Sequence, residues 1–591
     1  MNETAKASIR RSQDSAFVSR FFVGHGIDIG AGDDSLVQQL TRFPKIRSVR
    51  SWDMGDGDAQ LLSGVQDEQF DFVYSSHCLE HLNNPIEGLK NWLRVLKPGG
   101  YLVVSIPDED LYEHGLWPSV HNLDHHWSFT IAKNPSTLPQ SIQIIDLVSH
   151  FTYAIECERL SLLKDYFDPD GGLADQTLGK AECAIEFVWR KKSLSYEELS
   201  QLGFQLEQQD RVDEAIACYK KAIDSDPYRF EVINGLSTLL ARKVSIGEGL
   251  QIWDDYLSHR PEAYESQYFR ALYLISIGRF DEGFTIRDPL VPDQRRSPLS
   301  PPVNYPRWKG QDLSGKSIVI WTEFGLGDEI MFARFATILK SLGAAFVTLV
   351  CQKPLVKLFQ GLIDVDMAVS VEEVEGLKTH DYWVYPHSIP VYYSLEKYGV
   401  PQLSPYIKLD PALAKRASKM LPKKRPLRLR IGLVCRGNPT HENDQLRSIF
   451  NLRSIAELLK ISGIDWIILQ KDQYDQLESE FKELPFYESL SIHFVGSSLQ
   501  DFVDTAGVCM QLDLLISVDT SVAHLAGALG IDAYLLLPAI TDWRWGINQP
   551  HSDWYPNMEL FRQNIIGNWD APVKEISQKL TQKLLTLHQG K

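Results

Sequence analysis

Gly26-Ile-Asp-Ile-Gly-Ala-Gly32 and Glu323-Phe-Gly-Leu-Gly-Asp-Glu329 are glycine-rich turns of two different kinds within one chain. Each follows an apolar run that reads as a strand and precedes residues able to start a helix. In that setting glycine lets the backbone approach a ligand closely. The following helix offers unpaired N–H groups and the positive end of its dipole to a phosphate or nucleoside. Two such turns in different surroundings imply two sites, and so a chain with two activities.

Outward from the first turn, Val49-Arg-Ser-Trp-Asp53 reads as a strand ending in an acid. Phe70-Asp-Phe-Val-Tyr74 is the next strand, followed by Ser75-Ser-His-Cys-Leu-Glu-His81. Asn91-Trp-Leu-Arg-Val-Leu-Lys-Pro-Gly-Gly100 reads as an amphipathic helix stopped by proline and glycine, and Tyr101-Leu-Val-Val-Ser-Ile106 as a buried strand. Alternation of this kind predicts an α/β fold with a doubly wound parallel sheet, whose ligands lie at the carboxyl ends of the strands.

Asp28-Ile-Gly-Ala-Gly32, Phe70-Asp71, Leu79-Glu-His81 and Leu96-Lys-Pro-Gly-Gly100, in that order and spacing, resemble class I S-adenosylmethionine-dependent methyltransferases. The resemblance implies such a domain over residues 1–192, with S-adenosyl-L-methionine as its cofactor. Asp28, Gly30, Gly32 and Ser75 would line that cofactor, Asp53 would accept from its ribose hydroxyls, and Asp58 and Ala59 would lie by the adenine. Asp33-Asp34 stand where many relatives carry another glycine; two acids repel a pyrophosphate and suit a sulfonium, favouring S-adenosylmethionine over NAD. Methyl transfer to oxygen needs a held acceptor and often a base. His77 and His121 are the candidates, with His81 a structural alternative. The segment His121-Asn-Leu-Asp-His-His-Trp127 reads as a substrate-facing loop rather than a metal cluster, and no metal is expected. The bland alternative is a Rossmann-like domain that has lost its ligand.

Asp226-Pro227 and Arg260-Pro261 lie 34 residues apart, the period of tetratricopeptide repeats. Leu202-Gly203, Ala215, Tyr219, Ala222 and Pro227 fall at the interlocking positions of a first unit. Leu236, Ser237, Gly249, Trp253, Tyr256 and Pro261 do so in a second, and Ala271, Gly278 and Phe280 begin a degenerate third. Residues 193–295 thus predict two to three helical repeats, read as a rigid spacer ahead of a groove for a peptide or protein partner. Residues 289–306 are rich in proline and serine and predict an extended connector, with the linker proper at 296–311.

Two α/β halves follow, 312–425 on the acceptor side and 426–591 on the nucleotide-sugar side, joined by a charged, proline-bearing stretch at 414–430. The first holds Lys316-Ser-Ile-Val-Ile-Trp321 and the second glycine turn. The second holds Ile431-Gly-Leu-Val-Cys-Arg436, Trp466-Ile-Ile-Leu-Gln-Lys471 and Leu512-Asp-Leu-Leu-Ile-Ser-Val-Asp-Thr-Ser-Val-Ala-His524. The block resembles GT-B glycosyltransferases, nearest the heptosyltransferase-like family 9. That resemblance makes Asp328 the general base in an inverting transfer, with Glu329 as the rival carboxylate. It places a nucleotide diphosphate between Gly325, Gly327 and the Asp519, Thr520, Ser521 and His524 helix start, where helix N–H groups neutralise the leaving group. Arg436 and Lys471 would add positive charge, with Arg447 a weaker candidate. Asp519 alternatively caps the helix. The Trp543-Arg-Trp545 and Trp554-Tyr555 cluster is either a stacking surface or core. Trp321-Thr-Glu323 does not specify a lipopolysaccharide-core acceptor, so heptose is not implied.

At 591 residues, 44% hydrophobic and 23% charged, the chain is ordinary folded protein too long for one core. A net charge of −17 argues against nucleic acid as the main partner. No apolar run predicts a membrane span or secretion signal, and seven cysteines without a CxxC pair suit a reducing, cytoplasmic setting without a zinc signature. The leading expectation is a bifunctional glycan-modifying enzyme acting on a small-molecule or glycan acceptor. The rivals are a flagellin-like protein glycosyltransferase that uses the repeats as a groove, and an assembly scaffold with inactive domains.

Overall fold

A computed structural model describes residues 3–133, 138–227, 229–291, 301, 303–402, 405–471 and 474–589. The chain divides into two compact units, residues Met1–Ser195 and Tyr196–Lys591.

The first unit is built on a six-stranded sheet in the order β2-β1-β3-β4-β8-β7. Its strands are β1 (Gly24–Ile29), β2 (Ile46–Trp52), β3 (Phe70–Ser76), β4 (Leu96–Pro107), β7 (Ile155–Leu163) and β8 (Ala184–Lys191); β5 (Ser128–Thr130) and β6 (Ser141–Gln143) pair separately. β1 through β4 are parallel and β8 runs antiparallel between β4 and β7. The helix expected over 91–100 instead spans Pro85–Val95, opened by Asn84, whose side chain accepts from the Glu87 amide. It gives way at Leu96 to β4, because Leu96 pairs with Phe70 of β3. Trp92, Leu89, Val73 and Ile27 are buried between helix and sheet. The first helix, Glu3–Ser12, is anchored on β8: Arg11 is fully buried, 2.5 Å from Glu186, with its guanidinium over the Tyr74 ring.

The second unit begins with six helices in three antiparallel pairs. The first helix of each pair opens at Tyr196, Phe230 and Tyr264, and the second at Val212, Ile246 and Phe280. Small residues let the pairs close: a side-chain carbon at Gly203 would stand 2.6 Å from the Tyr219 ring, and one at Gly249 would stand 2.6 Å from Ser237 O. The third pair, expected to degenerate, is complete to Leu290, and its helix runs through Pro289 rather than ending before it. Residues 292–300 and 302 of the expected connector lie outside the described residues.

Two all-parallel sheets complete this unit. One has the order β11-β10-β9-β12, formed by β9 (Ser317–Ile320), β10 (Phe346–Cys351), β11 (Met367–Ser370) and β12 (Tyr382–Val384). The other has the order β15-β14-β13-β16-β17-β18, formed by β13 (Leu429–Val434), β14 (Ile464–Ile468), β15 (Ile492–Phe494), β16 (Leu514–Val518), β17 (Ala533–Leu537) and β18 (Met558–Arg562). Strands buried on both faces read as continuous apolar runs, as Leu514–Val518 does. The fold is therefore α/β in both units, with Rossmann-like parallel sheets and an all-α segment between them in sequence. One apolar core joins both sheets of the second unit to the last helical pair, with Phe280 and Phe284 packed on Trp554, Phe332 and Trp543. The final helix, Asp570–Gln589, packs on the second half's own core through Val573, Ile576 and Leu580.

Candidate functional site

In the first unit the glycine turn is tied to the end of β2, because the Gly30 and Ala31 amides both donate to Trp52 O. That brings the exposed Asp53 beside Gly30 and Gly32. Gly30 takes φ +76°, and a side chain there would collide with Cys78, 2.5 Å away. Gly32, at φ +46°, has open space where its side chain would be. Asp28 points elsewhere: it is buried and accepts from the Leu36 amide at 2.7 Å and Ser35 Oγ at 3.0 Å, and burial pushes it up to about 6. Its structural job is to hold the loop after the turn. Ser75 is also buried, donating to Ile29 O. Asp58 is exposed and caps Gln60, while the Ala59 carbonyl accepts from Trp92 Nε1.

The two histidines expected as bases differ. His77 sits in the left-handed region, φ 54°, with Glu80 at 3.5 Å and Glu3 at 3.7 Å. Against the opposing cost of burial, Glu80 and Glu3 pull its pKa up, which favours the imidazolium and not the free base. His121 packs against the Tyr112 and His114 rings, and its buried Nε2 has no hydrogen-bond partner among the described residues. A cavity of about 370 Å³, walled by Pro85, Ile86, Trp127, Ile142 and Leu147, opens nearby in sequence.

In the second unit the helix Leu326–Phe332 packs directly on the helix Ser521–Leu529. Gly327 permits it, since a side-chain carbon there would lie 2.8 Å from His524 Cδ2. The contact assembles four side chains. Asp328 caps its own helix by accepting from Gly325 N at 3.2 Å, and its other oxygen accepts from Arg544. His387 Nε2 lies 3.4 Å from the same oxygen. The buried Glu323 orients His387 by accepting from its backbone N at 3.0 Å and facing its Nδ1 at 2.8 Å. Although burial opposes ionisation, Arg544 and His387 hold the Asp328 carboxyl far below the usual carboxylate range. Arg544 also pairs with Asp542 and lies over the Trp543 ring at 4.3 Å.

The opposite wall is the start of Ser521–Leu529. Thr520 is the N-cap, its side chain caps no amide, and its hydroxyl lies 3.1 Å from Ser517 Oγ. Asp519 does not cap either; burial and the Asp542 carboxylate push it up to about 6, against the Arg447 and Arg544 charges. Arg447, whose own ion pair is with Asp444 at 3.7 Å, thus acts electrostatically on the helix start. His524 is buried, 3.0 Å from the Tyr555 hydroxyl and stacked on Trp545, and burial holds it down at about 3. It is a neutral packing group, not the phosphate contact expected. Arg436 is buried and paired with Glu480, and Lys471 is exposed and donates to Gln500 O. Glu329 faces inward, accepting from Thr322 and Gln352, and burial pushes it up to about 7. Trp545, Trp554 and Tyr555 are core; Trp543 is half-buried and carries Arg544.

His387 and Arg544 were not foreseen. Arg544 lies inside the Trp543-Arg-Trp545 run read for its aromatics, and no local pattern links it to Asp328, 216 residues away.

Residues 17–104 match the methyltransferase domain model. The curated Protein FlbA of Caulobacter vibrioides is 26% identical over 337 residues, 53% of this chain and 54% of that protein, so the match spans about half the length of that relative. Among solved structures, the glycosyl transferase family 9 protein from Veillonella parvula shares 14% identity, covering 48% of this chain and 99% of its own at TM-score 0.36. The E. coli ADP-heptose lps heptosyltransferase II shares 13% identity, covering 46% of this chain and 99% of its own at TM-score 0.35. The first unit carries a methyltransferase domain.

Proposed function

We propose that the chain is bifunctional. Its second unit transfers a sugar from a nucleotide-sugar to an acceptor hydroxyl with inversion, and its first unit methylates an oxygen with S-adenosylmethionine. The observation that carries the first half is the pairing of Asp328 with Arg544 beside the uncapped start of Ser521–Leu529. A carboxylate, a guanidinium and open helix amides within one contact match the two charge changes of glycosyl transfer. The acceptor oxygen loses a proton, which Asp328 accepts, and the departing diphosphate gains charge, which Arg544, Arg447 and the Thr520–Ser521 amides neutralise.

The resting Arg544–Asp328 pair makes the base weak until a donor binds. A diphosphate competes for the same guanidinium, and drawing Arg544 towards it releases Asp328 to a higher proton affinity. Glu323 and His387 position this carboxylate from behind. The base is therefore activated only with the donor in place, which protects the donor from water.

The first unit's residues fit S-adenosylmethionine. Gly32 leaves open space against the backbone and Asp53 is exposed beside it. When bound, the cofactor supplies an electrophilic methyl group on a sulfonium. Asp53 would hold the ribose hydroxyls, Asp58 and Ala59 would flank the adenine, and His121 Nε2 is the better candidate for the acceptor's proton. The acceptor is a glycan or small-molecule hydroxyl. A thermal-shift screen of S-adenosylmethionine and nucleotide-sugars tests the proposal. Each ligand class should raise a separate melting transition of the full chain, by mass action on the unit that binds it. Both classes moving one transition, or neither moving any, would count against two sites.

A further inference from the structure

Glu80, in the middle of the short turn Leu79–His81 after β3, is fully buried, yet neither carboxylate oxygen has a hydrogen-bond partner among the described residues. His77 Nδ1 stands 3.5 Å from Oε1. The long approach of His77 compensates this buried carboxylate only in part, and Oε2 has no hydrogen-bond partner among the described residues. Two imidazoles face it. Glu80, His81 and His125 each offer a ligand atom, and the three atoms lie within 4.8 Å of one another.

Both histidines are oriented as metal ligands are. His81 Nδ1 is 3.0 Å from Asp124 O, and His125 Nδ1 is 2.7 Å from Glu113 Oε1, which leaves Nε2 of each as the donor atom. Carboxylate or carbonyl partners on the far nitrogen fix the tautomer and raise the basicity of a metal-bound imidazole. Glu113 and His125 are themselves buried. The backbone supports the same arrangement: the His126 and Trp127 amides both donate to Glu80 O, at 2.9 and 3.2 Å, tying the 121–127 loop to the end of β3.

We infer that Glu80, His81 and His125 form a binding site for a first-row divalent cation of the Zn2+ class, with Glu113 positioning His125. Two nitrogens and one oxygen suit such an ion, and three protein ligands leave a coordination position for water. The ion would neutralise Glu80 and lock the 108–127 loop against the strand end, where open α/β sheets bind their ligands. This departs from the sequence-based expectation of no metal, which missed Glu80 because no ligand spacing in the sequence links it to His125. The inference is independent of the transfer reactions proposed above.

The test uses the untagged full chain, stripped with a chelator, dialysed and titrated with Zn2+ by calorimetry and with Co2+ by visible absorption. The expected result is one Zn2+ per chain with submicromolar Kd and d–d bands from Co2+ in a low-symmetry site. His125→Ala should weaken Zn2+ binding by at least about 100-fold. Glu113→Gln should weaken it by about 10- to 100-fold, the range for partners of metal-bound histidine. His114→Ala, outside the trio, should change nothing. If a variant does not fold, the parent spectrum decides: Co2+ without d–d bands of bound metal overturns the inference. Zn2+ affinity unchanged in folded His125→Ala overturns it equally.

Discussion

Asp328 and Glu329 are neighbours in sequence with opposite electrostatics. One is held ionised by Arg544, and the other is pushed up to about 7 by burial. Their side chains leave a helix start about 100° apart, so one meets the second half and the other its own sheet. The Glu329 shift has a consequence for stability. A carboxyl whose folded pKa exceeds its unfolded one stabilises the fold below the unfolded value, near 4.5, and loses that contribution as pH rises through about 7. Glu329→Gln keeps a neutral acceptor for Thr322 and Gln352 and removes the titration. Its melting temperature should exceed the parent's at pH 8, by an amount equivalent to up to ~3 kcal/mol, and the advantage should vanish by pH 5. Calorimetric scans of both proteins across that range check this; a constant difference would refute it.

At the scale of elements, the decisive contact is between Leu326–Phe332 and Ser521–Leu529, and Gly327 is what it turns on. Gly327→Ala drives a methyl into His524. The expected cost is ~1–3 kcal/mol, as for other overpacked contacts, with a larger loss of donor turnover because the pairing of Asp328 with Arg544 is displaced. Thermal unfolding together with nucleotide release measures both, and turnover falling no more than stability predicts would count against the claim. The same elements mark what was legible in the sequence. The α/β class and the parallel strands could be read because Gly26–Ile29, Phe70–Tyr74 and Leu514–Val518 are compact apolar runs, and Ser521–Leu529 follows the last as a helix, whereas the helix expected directly after Gly32 is only a 3-10 helix at Leu36–Arg42. His387 and Arg544 could not, since Arg544 reaches Asp328 across 216 residues of chain. The turn of Arg436 to Glu480, the burial of His524 and the extension of the last repeat helix through Pro289 are likewise products of packing, to which local pattern is blind.

At the scale of the molecule, two compact units meet in the chain at Ser195 and Tyr196. A cut there should yield two fragments that each fold. The second must keep its repeats, because Phe280 and Phe284 belong to the same core as both its sheets. Separate expression with circular dichroism and melting curves checks this, and an aggregated or molten 196–591 fragment would contradict it. No helix among the described residues is long and apolar enough to cross a membrane. The most direct test of the whole account is release of nucleoside diphosphate by the full chain carrying Asp328→Asn, with donor affinity measured alongside. The account predicts that kcat falls by about 10²–10⁴-fold, the worth of a general base, while the freed Arg544 leaves donor binding intact or tighter. Turnover equal to the parent's, with the donor bound equally well, would contradict it.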